Sequence, residues 1–275
     1  MTPEIIEFES LEAASHEAAR CLIVAAREAV ICTGRAAVAL SGGHTPTRLY
    51  ELLASDEYRA AVPWDEIDWF WSDERAVPPT SPQSNFRLAS ETMLSHAPVS
   101  PSRIFRMPAD AEDLDRAARS YEALVRERVP DLAFDLMLLG VGDDGHTASL
   151  FPGHPALDET ERLVIPVEGS PSLDIRWRMT FTLPLINLSR TVLVLADGVS
   201  KKPIIDAIRQ GGSAAAQYPV SRVRPAGHLT WLVGQDGQDG QDGQGGQDGQ
   251  GGQDGQDGQD GQVGDRSSVV SRASL

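Results

Sequence analysis

His146 closes the string Gly140-Val141-Gly142-Asp143-Asp144-Gly145-His146, which follows the apolar run Phe134–Leu139. Asp144 lies two residues before it. A carboxylate beside an imidazole fixes its tautomer and raises its basicity, the requirement for a general base. Glycines at 140, 142 and 145 let the backbone turn tightly and approach a ligand. The string formally fits the dinucleotide fingerprint, but Asp143 and Asp144 would face a pyrophosphate with two like charges. Pro152 and Gly153 would also interrupt the following helix within about two turns. His146 is therefore read as a base held by a glycine loop, with Asp144 as its partner.

Ser41-Gly42-Gly43-His44-Thr45-Pro46 runs from an apolar stretch into a helical pattern. Free amides and the positive dipole end at a helix start make a seat for an anion. Ser41, Gly42, Gly43 and Thr45 are the candidate phosphate-binding residues. The Lys and glycine spacing of a Walker loop are absent. Arg75 and Arg178 are candidate anion ligands, because a guanidinium grips phosphate with two parallel hydrogen bonds. Lys201 and Lys202 sit near a late helix N-terminus, where the dipole disfavours cations, and Lys201 joins the candidates for ligand contact. The chain has no G-x-S-x-G elbow, no H-E-x-x-H and no Cys/His cluster at zinc spacing. No metal and no cofactor are expected.

The elements that must position these residues alternate between apolar runs and helical periodicity. Strands are expected at Ile5–Phe8, Ala36–Leu40, Ile67–Trp71, Phe134–Leu139, Arg178–Leu183, Thr191–Ala196 and Leu229–Val233. Helices are expected at Leu11–Val30, Thr45–Ala54 (Pro46 in its first turn), Asn85–Leu94, Asp110–Val129 and Lys201–Arg209. Strands apolar throughout and alternating with helices predict an α/β fold: a Rossmann-like, mainly parallel sheet with helices on both faces. Ligands of such sheets bind beyond the carboxyl ends of the strands. The loops Ser41–Thr45, Ser72–Arg75 and Gly140–Thr147 are then expected on one edge.

The 275 residues divide into a body, 1–233, and a tail, 234–275, where glycine recurs at every third position among Gln, Asp and Gly. The tail has no proline to favour a collagen helix, and no apolar surface to offset its ordering entropy, so it is expected to be disordered. Eight aspartates against Arg266 and Arg272 leave the tail at −6 and the body at −10 of the total −16. An acidic body argues against nucleic acid or an anionic membrane as partner. A small phosphorylated substrate needs only a few local cations. No apolar stretch reaches the roughly 18–20 residues of a membrane span. Acidic residues near the N-terminus argue against a signal peptide. Two cysteines, Cys21 and Cys32, read as buried filler in a reducing compartment, and a cytoplasmic monomer or small homo-oligomer is expected.

Several strings together resemble the 6-phosphogluconolactonase family. They are Ser41-Gly42-Gly43-x-Thr45-Pro46, Ser72-Asp73-Glu74-Arg75, Gly140 through Gly153, Arg178-Met179-Thr180-Phe181-Thr182-Leu183-Pro184, and Arg222-Val223-Arg224-Pro225 with Leu229-Thr230-Trp231. The likeness covers residues 1–233 and none of the tail. It implies a Rossmann-like fold shared with glucosamine-6-phosphate deaminases and metal-free lactone hydrolysis in the oxidative pentose phosphate pathway. His146 would be the base, Arg75 and Arg178 ligand-binding arginines, and Gly42 and Gly43 part of the phosphate loop. Position 44 is His where the family commonly has Ser, and in its charged form it would strengthen the seat. The deaminases resemble this chain at the D-G-H loop. They usually continue toward Asn-Glu-Pro, and have Asp-Glu-Tyr where this chain has Asp73-Glu74-Arg75. A sugar-phosphate sensor without turnover is the remaining alternative. It is disfavoured because the His146–Asp144 pair and the basic residues are all present.

Overall fold

The computed structural model describes residues 3–198 and 201–235. β1 (Glu4–Phe8) leads into α1 (Leu11–Thr33). The Ser10 side chain caps α1 by accepting from the Ala13 N–H. Gly34, at φ +80°, ends it by donating to the Val30 carbonyl, since a left-handed residue closes a helix most easily without a Cβ. There follow β2 (Ala36–Leu40), α2 (Thr47–Ala54), β3 (Ile67–Trp71), β4 (Asp73–Arg75), α3 (Asn85–Thr92) and α4 (Leu114–Arg128). After them come β5 (Leu136–Leu139), β6 (Val164–Glu168), β7 (Trp177–Phe181), α5 (Leu183–Ile186), β8 (Thr191–Asp197), α6 (Lys202–Gln210), α7 (Gly212–Ala216) and β9 (His228–Gly234).

Six strands form one sheet in the order β1-β9-β8-β5-β2-β3, every pair parallel. Every residue of β2, β3 and β5 is buried, so both faces are covered, as a parallel sheet requires. Trp69, Phe70 and Trp71 are fully buried, and each such side chain contributes roughly 1.5–3 kcal/mol or more. From β2 the chain moves outward to β3, and from β5 it moves the other way to β8. The order thus reverses between β2 and β5, and a ligand crevice is expected at that switch point.

Arg178 does not lie in this sheet. β7 pairs antiparallel with β4 and β6 in a separate three-stranded sheet. Neither β4 nor β6 was legible as a strand: Asp73–Arg75 is short and charged, and its pairing with β7 is a contact between distant parts of the chain. Helix α2 begins at Thr47, with Pro46 as its N-cap residue rather than inside its first turn.

The domain also extends past residue 233. Gly234 is the last residue of β9, level with Phe8 and Asp197. A Cβ there would come within 2.6 Å of the Leu11 backbone, so close packing against α1 demands the glycine. Gln235 donates to the Phe8 carbonyl at 3.1 Å. The rest of the expected disordered tail, 236–275, lies outside the described residues. A chain cut after Gln235 is expected to keep its full rate in a lactone-hydrolysis assay, and a large loss would give the tail a role in catalysis or assembly. Neither cysteine is buried filler. Cys21 is half-buried and Cys32 exposed. Burial, with the Glu17 carboxylate beside it, pushes the Cys21 thiol up to about 11, which keeps it unreactive near neutral pH. Among the described residues no helix is long and apolar enough to cross a membrane.

Candidate active site

Parallel strands send the loops after β2, β3, β5 and β8 off one edge of the sheet. The first and third meet at the switch point: a Cβ on Gly140 would lie 3.6 Å from Ser41 Oγ. Within the β5 loop, Gly142 donates to the His146 carbonyl at 2.9 Å and Gly145 to the Gly142 carbonyl at 3.0 Å. Gly145 has φ +77°. This turn brings His146 back over Gly142.

His146 Nδ1 lies 2.6 Å from Asp144 Oδ1, and the His146 backbone N–H donates to the same oxygen at 3.0 Å. An ionised carboxylate only accepts, so Nδ1 carries the proton and Nε2 of the neutral ring keeps its lone pair. Burial pushes the Asp144 carboxyl up. The hydrogen bonds from the His146 ring and backbone N–H outweigh it and hold the carboxyl below the usual value. A carboxyl depressed in the fold contributes stability above its unfolded pKa, and that stability is lost as pH falls through the depressed value. Asp144→Asn is therefore expected to cost at most about 1 kcal/mol near pH 7, because the pair is half-exposed. The difference between variant and parent should shrink as pH falls through the depressed value, which denaturant unfolding at neutral and at acid pH checks. Its turnover should fall at least about tenfold, the tautomer no longer being held.

Two of the three loop glycines make room for the protein's own side chains. A Cβ on Gly142 would lie 2.1 Å from the His146 ring, and one on Gly145 2.4 Å from the Tyr218 ring. Gly142→Ala must push the imidazole aside. Displacement by about 1 Å can cost on the order of 10²-fold in rate, so kcat should fall by that much with little change in melting temperature.

Phe151 lies between His146 and Arg178. Its ring centroid is 5.0 Å from that of His146, and the Arg178 guanidinium carbon stands 5.7 Å from the same centroid. The Arg178 side chain is 13% exposed, and its nearest carboxylate, Asp73, is 4.0 Å away. Its buried Nε has no hydrogen-bond partner among the described residues. Burial, reinforced by the like charge of Arg75, makes its proton easier to lose than usual, against the pull of Asp73 and Glu74. Such a cation, desolvated and with a donor unspent, is prepared for an anion. Arg75 is level with Arg178 on the neighbouring strand and gives one hydrogen bond to the Gln83 carbonyl at 3.0 Å. Lys201 precedes α6 and is mostly buried, ion-paired with Asp143, the residue before Asp144. Lys202 is exposed and pairs with Asp206 of its own helix, a solvated charge.

The diglycine turn is more differentiated than its residues suggest. Ser41 is buried, its amide and carbonyl both engaged by the Tyr50 hydroxyl, so its backbone is committed to the fold. Asn85 occupies the space of a Cβ on Gly42, 1.9 Å from that position. Gly43, at φ +85°, has open space around it, and with half-buried Thr45 it is the part of the turn open to a ligand. His44 is exposed, and its carbonyl accepts from Thr47 N–H. Phe151 and Tyr218 were not among the expected site residues. Phe151 lies inside the quoted string after His146, while nothing in the sequence around Tyr218 marks it. Among the described residues no group of three or more His, Cys, Asp or Glu is arranged to hold a metal ion.

Residues 9–231 match the family described as glucosamine-6-phosphate isomerases/6-phosphogluconolactonase. The chain is 38% identical over 242 residues to a 6-phosphogluconolactonase of Synechocystis, covering 86% of this chain and 97% of that protein. It is 36% identical to a 6-phosphogluconolactonase of Streptomyces coelicolor, covering 84% and 92%. The structure superposes on a 6-phosphogluconolactonase of Thermotoga maritima with a TM-score of 0.74 at 29% identity, covering 85% of this chain and all of the other. A monomeric glucosamine-6-phosphate deaminase shares the fold at a TM-score of 0.70 and 24% identity.

Proposed function

The chain belongs to the glucosamine-6-phosphate isomerase and 6-phosphogluconolactonase family, and we propose that His146 is the base with which it opens a phosphorylated sugar lactone. It is a lactone hydrolase, converting 6-phospho-D-glucono-1,5-lactone to 6-phospho-D-gluconate. Because a deaminase has the same fold, fold does not separate the two chemistries. Relatives at 36–38% identity over nearly their whole lengths do.

The open side of the diglycine turn, with Arg178, Arg75 and Lys201, binds the anionic substrate. His146 Nε2 takes a proton from a water held over C1, and the oxygen attacks the ester carbonyl. An arginine or loop amides stabilise the tetrahedral oxyanion. The intermediate collapses by breaking the bond from C1 to the ring oxygen, which receives the proton from His146. Remote phosphate binding orients the carbon that reacts.

The observation that carries this reading is the 2.6 Å His146–Asp144 contact beside a guanidinium with an unspent donor. A lactone-hydrolysis assay, corrected for spontaneous ring opening, tests it. Ammonia release from glucosamine 6-phosphate without lactone turnover would overturn it, as would binding without turnover of either. A reducing cytoplasm suits the two free cysteines, and the assembly is a monomer or small homo-oligomer, which sedimentation distinguishes.

A further inference from the structure

Beneath the site lies a carboxylate that no step above uses. Asp73, the first residue of β4, is 5% exposed. Its Oδ2 accepts from the Ser149 hydroxyl at 2.6 Å and its Oδ1 from the Asn85 amide at 3.2 Å. The same amide donates to the Asp73 carbonyl at 2.9 Å. Arg178 Nη1 stands 4.0 Å from Oδ2. Each partner comes from a different part of the site. Ser149 ends the turn that carries His146, Asn85 fills the space beside Gly42, and Arg178 faces Phe151.

Two features show that these contacts set geometry. Ala148, between His146 and Ser149, has φ +47°, a conformation that a residue with a Cβ keeps only where its surroundings over-determine it. Ser149 supplies that restraint: its hydroxyl is tied to Asp73, and its N–H donates to Thr180 Oγ1 at 3.2 Å. Thr180 is in turn level with Asp73 across the antiparallel pair. The second feature is electrostatic. Asp73 offsets the buried charge of Arg178 from just beyond hydrogen-bond range, so the guanidinium is neutralised without spending its donors. Both Asp73 oxygens are engaged within the protein and shielded from solvent.

We propose that Asp73 is the positioning residue of this site: its buried carboxylate ties the Ser149 end of the His146 loop and the charge of Arg178 into one geometry. Base and anion-binding group are thereby kept in register. The proposal rests on the roles given above to His146 and Arg178. Asp73→Asn keeps the shape and removes the charge. In the full chain it should lower kcat/KM at least about thirtyfold, by the loss expected of misplaced groups. Ser149→Ala, which spares the charge, should lower kcat with the fold retained, and the double variant should lose little more than Asp73→Asn alone. Arg178→Ala should weaken binding of 6-phosphogluconate and inorganic phosphate markedly in the parent and far less in the Asp73→Asn background.

Lower melting temperature with unchanged kcat/KM, or full additivity of Asp73→Asn with Arg178→Ala, would overturn the proposal. If Asp73→Asn does not fold, unchanged kcat in Ser149→Ala would overturn it instead. The phosphate-binding arm reads the coupling of Asp73 to Arg178 whether or not the parent opens a lactone, so a failed assay for turnover sinks the function and leaves this test standing.

Discussion

His146→Asn lowers kcat for lactone opening by about 10²–10⁴-fold, the range that general-base assistance supplies, and leaves the affinity for 6-phosphogluconate nearly unchanged. Asparagine can occupy the position and accept or donate a hydrogen bond, but it has no lone pair basic enough to take a proton from water. The loop should survive the change. His146 is about one-third exposed, and its backbone, which bonds to Gly142 and Asp144, is untouched. Stopped-flow rates with spontaneous opening subtracted, beside a binding titration with 6-phosphogluconate, check both statements. Wild-type turnover in the variant would mean that the 2.6 Å contact with Asp144 serves the loop and not the chemistry.

Arg178→Ala raises KM by roughly 10–150-fold, the value of one or more hydrogen bonds to a charged group at about 1.5–3 kcal/mol, and changes kcat much less. The guanidinium is already desolvated and lacks a partner at Nε. A ligand anion therefore gains the full interaction without first displacing a protein acceptor from that atom. Lysine should restore little, since a point charge does not reproduce a planar fork. The phosphate-free lactone separates two roles. If Arg178 holds the phosphate, its loss leaves turnover of glucono-1,5-lactone unchanged; if it faces the reacting carbonyl, both substrates suffer alike. An unchanged KM for the phosphorylated lactone would remove Arg178 from the binding site.

The sequence alone determined the parallel sheet. Ala36–Leu40 and Ile67–Trp71 were legible with the bounds they have in the structure. A strand covered on both faces must be apolar throughout, and polar loops mark its ends. The same logic singled out the loop after β5, where a glycine string carries Asp144 and His146 beyond a buried strand. What only tertiary structure decided is how distant residues meet. Asp73 and Ser149 bond across 76 positions, and Arg178 reaches the site from a second, antiparallel sheet whose β4 strand is three charged residues. Whether Gly142, Gly145 and Gly234 face a ligand, an imidazole, a tyrosine or another backbone also depends on what packs against them. Periodicity reports the environment along one element. It carries no signal for a pairing whose free energy comes from a partner elsewhere in the chain, and the joint placement of imidazole, aromatic ring and guanidinium is of that kind.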